Sequence, residues 1–247
     1  MSLRHVLAAF LLAALPALAC QADEVQVAVA SNFAAPMREL SALFEQASGH
    51  QARLAFGATG KFYAQIRNGA PFDVLLAADD KVPARLAQEG DAVESSRFTY
   101  AIGRLVLWSP SRKALDENAL KTGDFRHLAV ANPKTAPYGV AAMDTLEHLG
   151  LAEPLRARLV QGENIAQTHQ FVASGNAELG FVALSQVIRN GEPDGGWLVP
   201  GNYHRPIRQD AALLERGASN PAAVALLAFL RGPEAREVIE RYGYRVP

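Results

Sequence analysis

The chain has 247 residues, 49% of them apolar and 20% charged, enough to bury a sizeable core and to divide into two lobes. Lys and Arg total 24 against 25 Asp and Glu, a formal charge of −1, which excludes the strongly basic surface that nucleic-acid binding demands. Cys20 is the only cysteine, so an intrachain disulfide and a multi-cysteine zinc site are both excluded.

In chain order, Arg4 and His5 precede an apolar run from Val6 to Leu18 that is too short for an ordinary membrane span and ends in small residues. Residues 1–22 therefore read as a secretory signal, cut after Ala22; lipid attachment at Cys20 after cleavage at Ala19 is the alternative. Cleavage after Ala22 removes Arg4 and no acid, leaving a formal charge of −2. Strand and helix then alternate through Val25–Ala30, Met37–Glu45, Ala52–Phe56, Lys61–Asn68 and Val74–Ala77, the pattern of a mainly parallel sheet. In the first helix Pro36 suits an early position, Met37, Leu40 and Phe44 share a stripe, and Gly49 is a stop signal. Ala84–Gln88 before Gly90 predicts a short helix.

The segment Phe98–Ser109 is β-rich with Gly103 in its middle, where a strand is expected to leave one sheet for another. A second α/β lobe follows through Leu128–Ala131, Val140–Leu149, Leu159–Gln161, Ile165–Ser174 and Gly180–Leu184, and a turn-rich stretch, 199–206, ends it. Ile207–Leu214 reads as a strand returning to the first lobe, Pro221 opens an Ala/Leu-rich helix, and Gly232-Pro233 breaks it before Glu234–Arg241. The expected division is a signal over 1–22, one lobe from 23–103 with 205–247, and the other from 104–204.

Three strands run into turns that open helices: Ser31-Asn32 before Pro36, Gly57-Ala-Thr-Gly60, and Asn132 to Gly139. Such turns present unpaired N–H groups at the positive end of a helix, beyond the carboxyl ends of strands, where open α/β sheets bind ligands. Repeated three times in a two-lobed chain, they point to a small anion held in a cleft that closes by a hinge. On local grounds alone Ser31 and Asn32 read as helix caps, the glycines as turn residues and Pro137-Tyr138-Gly139 as ordinary turn chemistry. Asp79-Asp80 reads as a cap for the next helix rather than a metal pair. His50, His127, His148, His169 and His204 lack ligand spacing. Lys61 and Lys134 sit near the loops and can steer an anion without being ligands.

Val29-Ala-Ser-Asn-Phe33, Phe56-Gly-Ala-Thr-Gly-Lys-Phe-Tyr63, Asn68-Gly-Ala-Pro-Phe-Asp-Val74, Ala131-Asn-Pro-Lys-Thr-Ala-Pro-Tyr-Gly139 and Gly175-Asn-Ala-Glu-Leu-Gly-Phe-Val-Ala-Leu-Ser185 resemble the periplasmic molybdate-binding proteins of molybdate ABC transporters. Arg205-Pro-Ile-Arg-Gln-Asp-Ala211 and Tyr242-Gly-Tyr244 extend the resemblance over nearly all the mature chain. The resemblance implies an α/β, two-lobed periplasmic binding protein fold with two strand crossovers and a ligand cleft between the lobes. It also implies a molybdate or tungstate cargo, no cofactor, no catalysis, a membrane permease as partner and action as a monomer. Carried onto matching positions, the family's contacts fall on Ser31 and Asn32, on Ala58 and Thr59, and on the main chain of Tyr138 and Ile165. Thr59 stands where serine is common, and Ala183 stands where some members place a tyrosine hydroxyl, so the number of ligand hydrogen bonds stays open. Two alternatives remain at this point: a receptor for another tetrahedral oxyanion, and an exported enzyme using the same donors to stabilise an oxyanion.

Overall fold

A computed structural model describes residues 23–112, 114–189 and 191–247. The signal segment and Cys20 lie outside the described residues. Strand β1 (Glu24–Ala30) is followed by helix α1 (Ala34–Ser48), β2 (Gln51–Gly57), α2 (Thr59–Arg67), β3 (Val74–Leu76), α3 (Lys81–Gln88) and β4 (Phe98–Gly103). One residue on, β5 (Leu105–Trp108) begins, and then come α4 (Asn118–Lys121), β6 (Leu128–Ala131), α5 (Pro137–His148), α6 (Ala152–Leu155), β7 (Leu159–Gly162), α7 (Ile165–Ala173) and β8 (Leu179–Ala183). A small hairpin, β9 (Ile188–Arg189) and β10 (Glu192–Pro193), and β11 (Trp197–Leu198) precede β12 (Ile207–Leu213), α8 (Pro221–Leu230) and α9 (Pro233–Arg241).

Two five-stranded sheets result, ordered β2-β1-β3-β12-β4 and β11-β5-β8-β6-β7. Arg104 is the whole connection between β4 in the first sheet and β5 in the second, so the glycine inside the β-rich segment does mark a change of sheet. Strand β12 runs back into the first sheet, antiparallel to β3 and β4. This antiparallel return makes the first sheet mixed rather than mainly parallel, and the second is mixed as well because β5 pairs antiparallel with both β8 and β11.

Alternation along β1 explains how the first sheet is covered. Val25, Val27 and Val29 face Met37, Leu40 and Phe44 of α1 together with α8 and α9, while Ala28 faces the other way, onto Phe62, Ile66 and Leu86 of α2 and α3. The second sheet repeats the arrangement: Leu105, Leu107, Leu128 and Val130 pack on Ala141, Ala142 and Leu146 of α5, and Val106, Trp108 and Ala129 pack on Val172 of α7. Helix α1 ends as its sequence indicates, with Gly49 in the left-handed region at φ 74° and its N–H on the Glu45 carbonyl. Helix α5 starts at Pro137, three residues earlier than the Val140 read from the sequence, because Pro at a first helical position loses no bond the helix needed.

Candidate functional site

Each sheet has one strand that lies between the two strands next after it in chain order. Strand β1 lies between β2 and β3, and β6 lies between β7 and β8, so the chain reverses its winding at the carboxyl ends of β1 and β6. Such switch points leave a crevice between diverging loops, and here the two crevices face each other. Ala30 leads into a single 3-10 turn, Ser31–Phe33, before α1; Gly57 and Ala58 lead into α2; Ala136 precedes Pro137 of α5; and Asn164 precedes Ile165 of α7. The four chain turns line one small cavity.

Ser31, Asn32, Ala58, Thr59, Tyr138 and Ile165 all line this one cavity, joined by Ala30, Gly57, Ala78, Ala136, Pro137 and Asn164. No carboxylate, amine, guanidinium or imidazole stands among them. The first N–H groups of a helix have no intrahelical partner and sit at its positive end, so the cavity is electropositive without a formal charge. The N-terminal turns of three α-helices and one 3-10 turn border this cavity.

The side chains sharpen this polarity. Neither Ser31 nor Asn32 caps a helix, and the Ser31 hydroxyl has no hydrogen-bond partner among the described residues. Thr59 accepts the Ala78 N–H at 2.9 Å, which fills an acceptor position of its hydroxyl and leaves the O–H proton to donate. Asn164 caps α7 by accepting the Gln167 N–H at 3.0 Å, leaving the Ile165 N–H to the cavity side. Ala183 is fully buried and its N–H donates to the Gln186 carboxamide oxygen at 3.0 Å. The Gln186 amide in turn donates to the Ile165 carbonyl at 3.1 Å, so Gln186 ties the start of α7 to the end of β8.

Asn32 has a second employment that its sequence position does not reveal. Its side-chain amide donates to the Gln209 carboxamide oxygen at 2.8 Å and to the Tyr244 hydroxyl at 2.9 Å. Its carbonyl accepts the Ser185 hydroxyl at 2.8 Å, and Tyr244 bridges to Ser185 at 2.9 Å. What Asn32 presents to the cavity is therefore its backbone N–H. Gln209 also accepts from Tyr100 at 3.1 Å and donates to Tyr138 at 3.3 Å. Burial pushes the Tyr244 phenol up to about 12 and holds Tyr100 and Tyr138 well above the ordinary tyrosine value, so all three stay neutral. Gly103 has no side chain for a packing reason: a Cβ there would stand 2.2 Å from the Tyr138 hydroxyl. This buried network spans both sheets directly behind the cavity, and only its chain-distant partners, 59 to 212 residues apart, could have signalled it.

The lobes touch at the cavity rim. The Gly60 N–H donates to the Thr135 carbonyl at 2.9 Å, and Lys61 pairs with Glu163. That ion pair is half exposed on both sides and worth little on its own. Lys134 is exposed.

Outside the rim lies a wider chamber of about 700 Å3, lined by Asp79, Lys81, Lys134, Asp144 and Arg205 among others. Arg205 is engaged by Asp144 through two side-chain bonds at 2.8 and 2.9 Å. Of the Asp79-Asp80 pair expected to cap α3, Asp79 accepts the Val82 N–H at 2.8 Å, while Asp80, at the cap position itself, makes no side-chain cap bond. Burial lifts the Asp79 carboxyl to about 6, outweighing that hydrogen bond, and the neighbouring Asp80 adds in the same direction. A raised carboxyl pKa stabilises the fold below the unfolded value of 3.8, and that contribution is lost as pH rises through about 6. Asp79→Asn keeps the acceptor and removes the charge. Relative to that variant, the wild-type protein is expected to gain about 2–3 kcal/mol of unfolding free energy between pH 7.5 and roughly pH 3.5, at about 1.4 kcal/mol per pKa unit. Urea denaturation of both proteins at a series of pH values measures this, and parallel curves would show that Asp79 titrates normally.

Two facing switch points, two crossing strands and a neutral pocket of N–H donors describe a receptor for a small solute, and the chain belongs to the bacterial extracellular solute-binding proteins, whose family model matches residues 25–245. Within that family it is 57% identical to the molybdate-binding protein ModA of Azotobacter vinelandii over 94% of either chain. It is 50% identical to ModA of Rhodobacter capsulatus, over 92% of this chain and 90% of that one. The solved structure of an Azotobacter vinelandii periplasmic molybdate-binding protein superposes with a TM-score of 0.87 at 40% identity, covering 90% of this chain and 99% of that one.

Proposed function

We propose that this protein is exported to the periplasm, captures molybdate, and tungstate in the same way, by closing its two lobes over the anion, and delivers it as a monomer to the permease of an ABC transporter. The observation that carries the reading is that four helical N-terminal turns line one uncharged cavity. In this reading Ser31 and Thr59 donate through their hydroxyls, and Asn32, Ala58, Tyr138 and Ile165 through their backbone N–H groups. The relatives that share about half or more of its residues are named for molybdate.

Magnitudes support a site without a counter-charge. A hydrogen bond to a charged group contributes about 1.5–3 kcal/mol net, so six give roughly 9–18 kcal/mol before the costs of association and ordering. Micromolar to nanomolar binding requires about 8–12 kcal/mol. An all-donor lining also selects: a monoprotonated phosphate brings an O–H that finds no acceptor, and sulfate, being smaller, spans the opposed donors less well. No His, Asp, Glu, Lys or Cys lines the cavity, which favours binding over general acid–base chemistry at this site.

Isothermal titration of the ligand-free mature protein with molybdate, then with sulfate and phosphate, tests the reading. One-to-one molybdate binding with little response to the others is expected. No molybdate heat together with an unchanged melting temperature would overturn it.

A further inference from the structure

On the face where the chain passes between the lobes, a separate groove of about 480 Å3 opens to solvent. Arg104 and Arg245 line it with His204, over a floor that includes Leu198, Val199 and Pro206. Arg104 is the single residue joining β4 to β5, and Arg245 is held beside it because Ile102 and Arg245 exchange backbone hydrogen bonds at 2.7 and 3.1 Å. No carboxylate lines the groove, and neither guanidinium has an ion-pair or side-chain hydrogen-bond partner among the described residues. Burial and the charge of Arg245 together pull the Arg104 pKa down, the mark of two cations placed together without compensation. Leu198 is 41% exposed, one of two large hydrophobic side chains so exposed among the described residues.

Two unpaired guanidinium forks favour a carboxylate, which each can meet with paired N–H donors. An uncovered apolar floor beside them favours a ligand with a hydrophobic body. We infer that this groove is a second binding site, distinct from the oxyanion cavity, for an amphipathic organic carboxylate whose charged end lies between Arg104 and Arg245 and whose apolar body covers Leu198.

Benzoate is a suitable probe and benzyl alcohol its uncharged control. Titrated into the full mature chain and followed by NMR chemical-shift changes, benzoate is expected to bind saturably at low-millimolar or better affinity, with or without excess molybdate. Arg245→Gln, a change at an exposed residue, should weaken it about tenfold, equivalent to 1.4 kcal/mol, and Arg104→Gln with Arg245→Gln should abolish it. Benzyl alcohol should not saturate. Benzoate shifts that stay linear to about 10 mM, some tenfold above a millimolar constant, or binding that survives Arg245→Gln unchanged, or equal binding of benzyl alcohol, would overturn the inference. Because the readout does not depend on molybdate, its failure and that of the oxyanion reading are separable.

Discussion

Replacing Ser31 and Thr59 together with Ala is expected to weaken molybdate binding by about two to four orders of magnitude. The estimate follows from two donors to a charged ligand at about 1.5–3 kcal/mol each, with every 1.4 kcal/mol a factor of ten. The two positions are not equivalent. Ser31 has no hydrogen-bond partner among the described residues, so Ser31→Ala removes an interaction made only with the ligand and should leave the ligand-free protein as stable as before. Thr59 also holds the Ala78 N–H, so Thr59→Ala orphans a buried donor and should lower ligand-free stability by about 1–3 kcal/mol as well. Thr59→Ser keeps both the acceptor and the proton and serves as the control, with affinity expected within a few-fold of wild type. Titration calorimetry reads the affinities, and urea denaturation without ligand reads the stability. Full affinity in the double variant would remove the hydroxyls from the site and leave the backbone donors to account for binding.

How much of this was legible in the sequence depends on the range over which the signal acts. The longer strands and helices of both lobes were readable because apolar periodicity, Pro221 and Gly49 act locally, whereas the short α4, α6, β9, β10 and β11 were not read. The change of sheet at Gly103-Arg104 was also readable, since a glycine interrupts an otherwise continuous β-rich run. Strand direction was not, because a βαβ pattern implies parallel pairing, whereas the long return of β12 and the antiparallel pairing of β5 with β8 and β11 make the sheets mixed. At the site, the turn chemistry after β1, β2 and β6 marked three of the four loops that line the cavity. The fourth, Gly162-Glu-Asn164 before Ile165, carries a glycine and a capping asparagine but was reached only through family resemblance, since a backbone donor leaves no mark on side-chain type. The network of Asn32, Gln209, Tyr244 and Ser185 was not legible at all. Each of those residues looks ordinary in its own segment, and their meeting is a product of two crossovers and a returning C-terminus.

Closure itself is exposed to test at Gly60. This residue is the second of α2, so Gly60→Ala places a better helix former in a helix and, by propensity alone, should stabilise the lobe by about 0.5–1 kcal/mol. Across the rim the same methyl meets backbone. A Cβ at Gly60 would lie 3.0 Å from Thr135 Cα and 3.2 Å from the Thr135 carbonyl oxygen, the atom that accepts the Gly60 N–H. The two effects fall on different states. With the lobes apart the methyl has nothing to strike, and with them together it must push the second lobe back by a few tenths of an ångström, against donors that have to meet one small anion from both sides. Overpacking of this kind costs about 1–3 kcal/mol, which corresponds to a loss of affinity between about five- and 150-fold. The expected result is a melting temperature without ligand equal to or above wild type, combined with a weaker molybdate constant and a smaller shift in melting temperature on saturation. A single-lobe site, or one that binds without closure, predicts the opposite: Gly60→Ala would retain wild-type affinity, and the Gly60–Thr135 bond would be an incidental contact rather than part of how the anion is held.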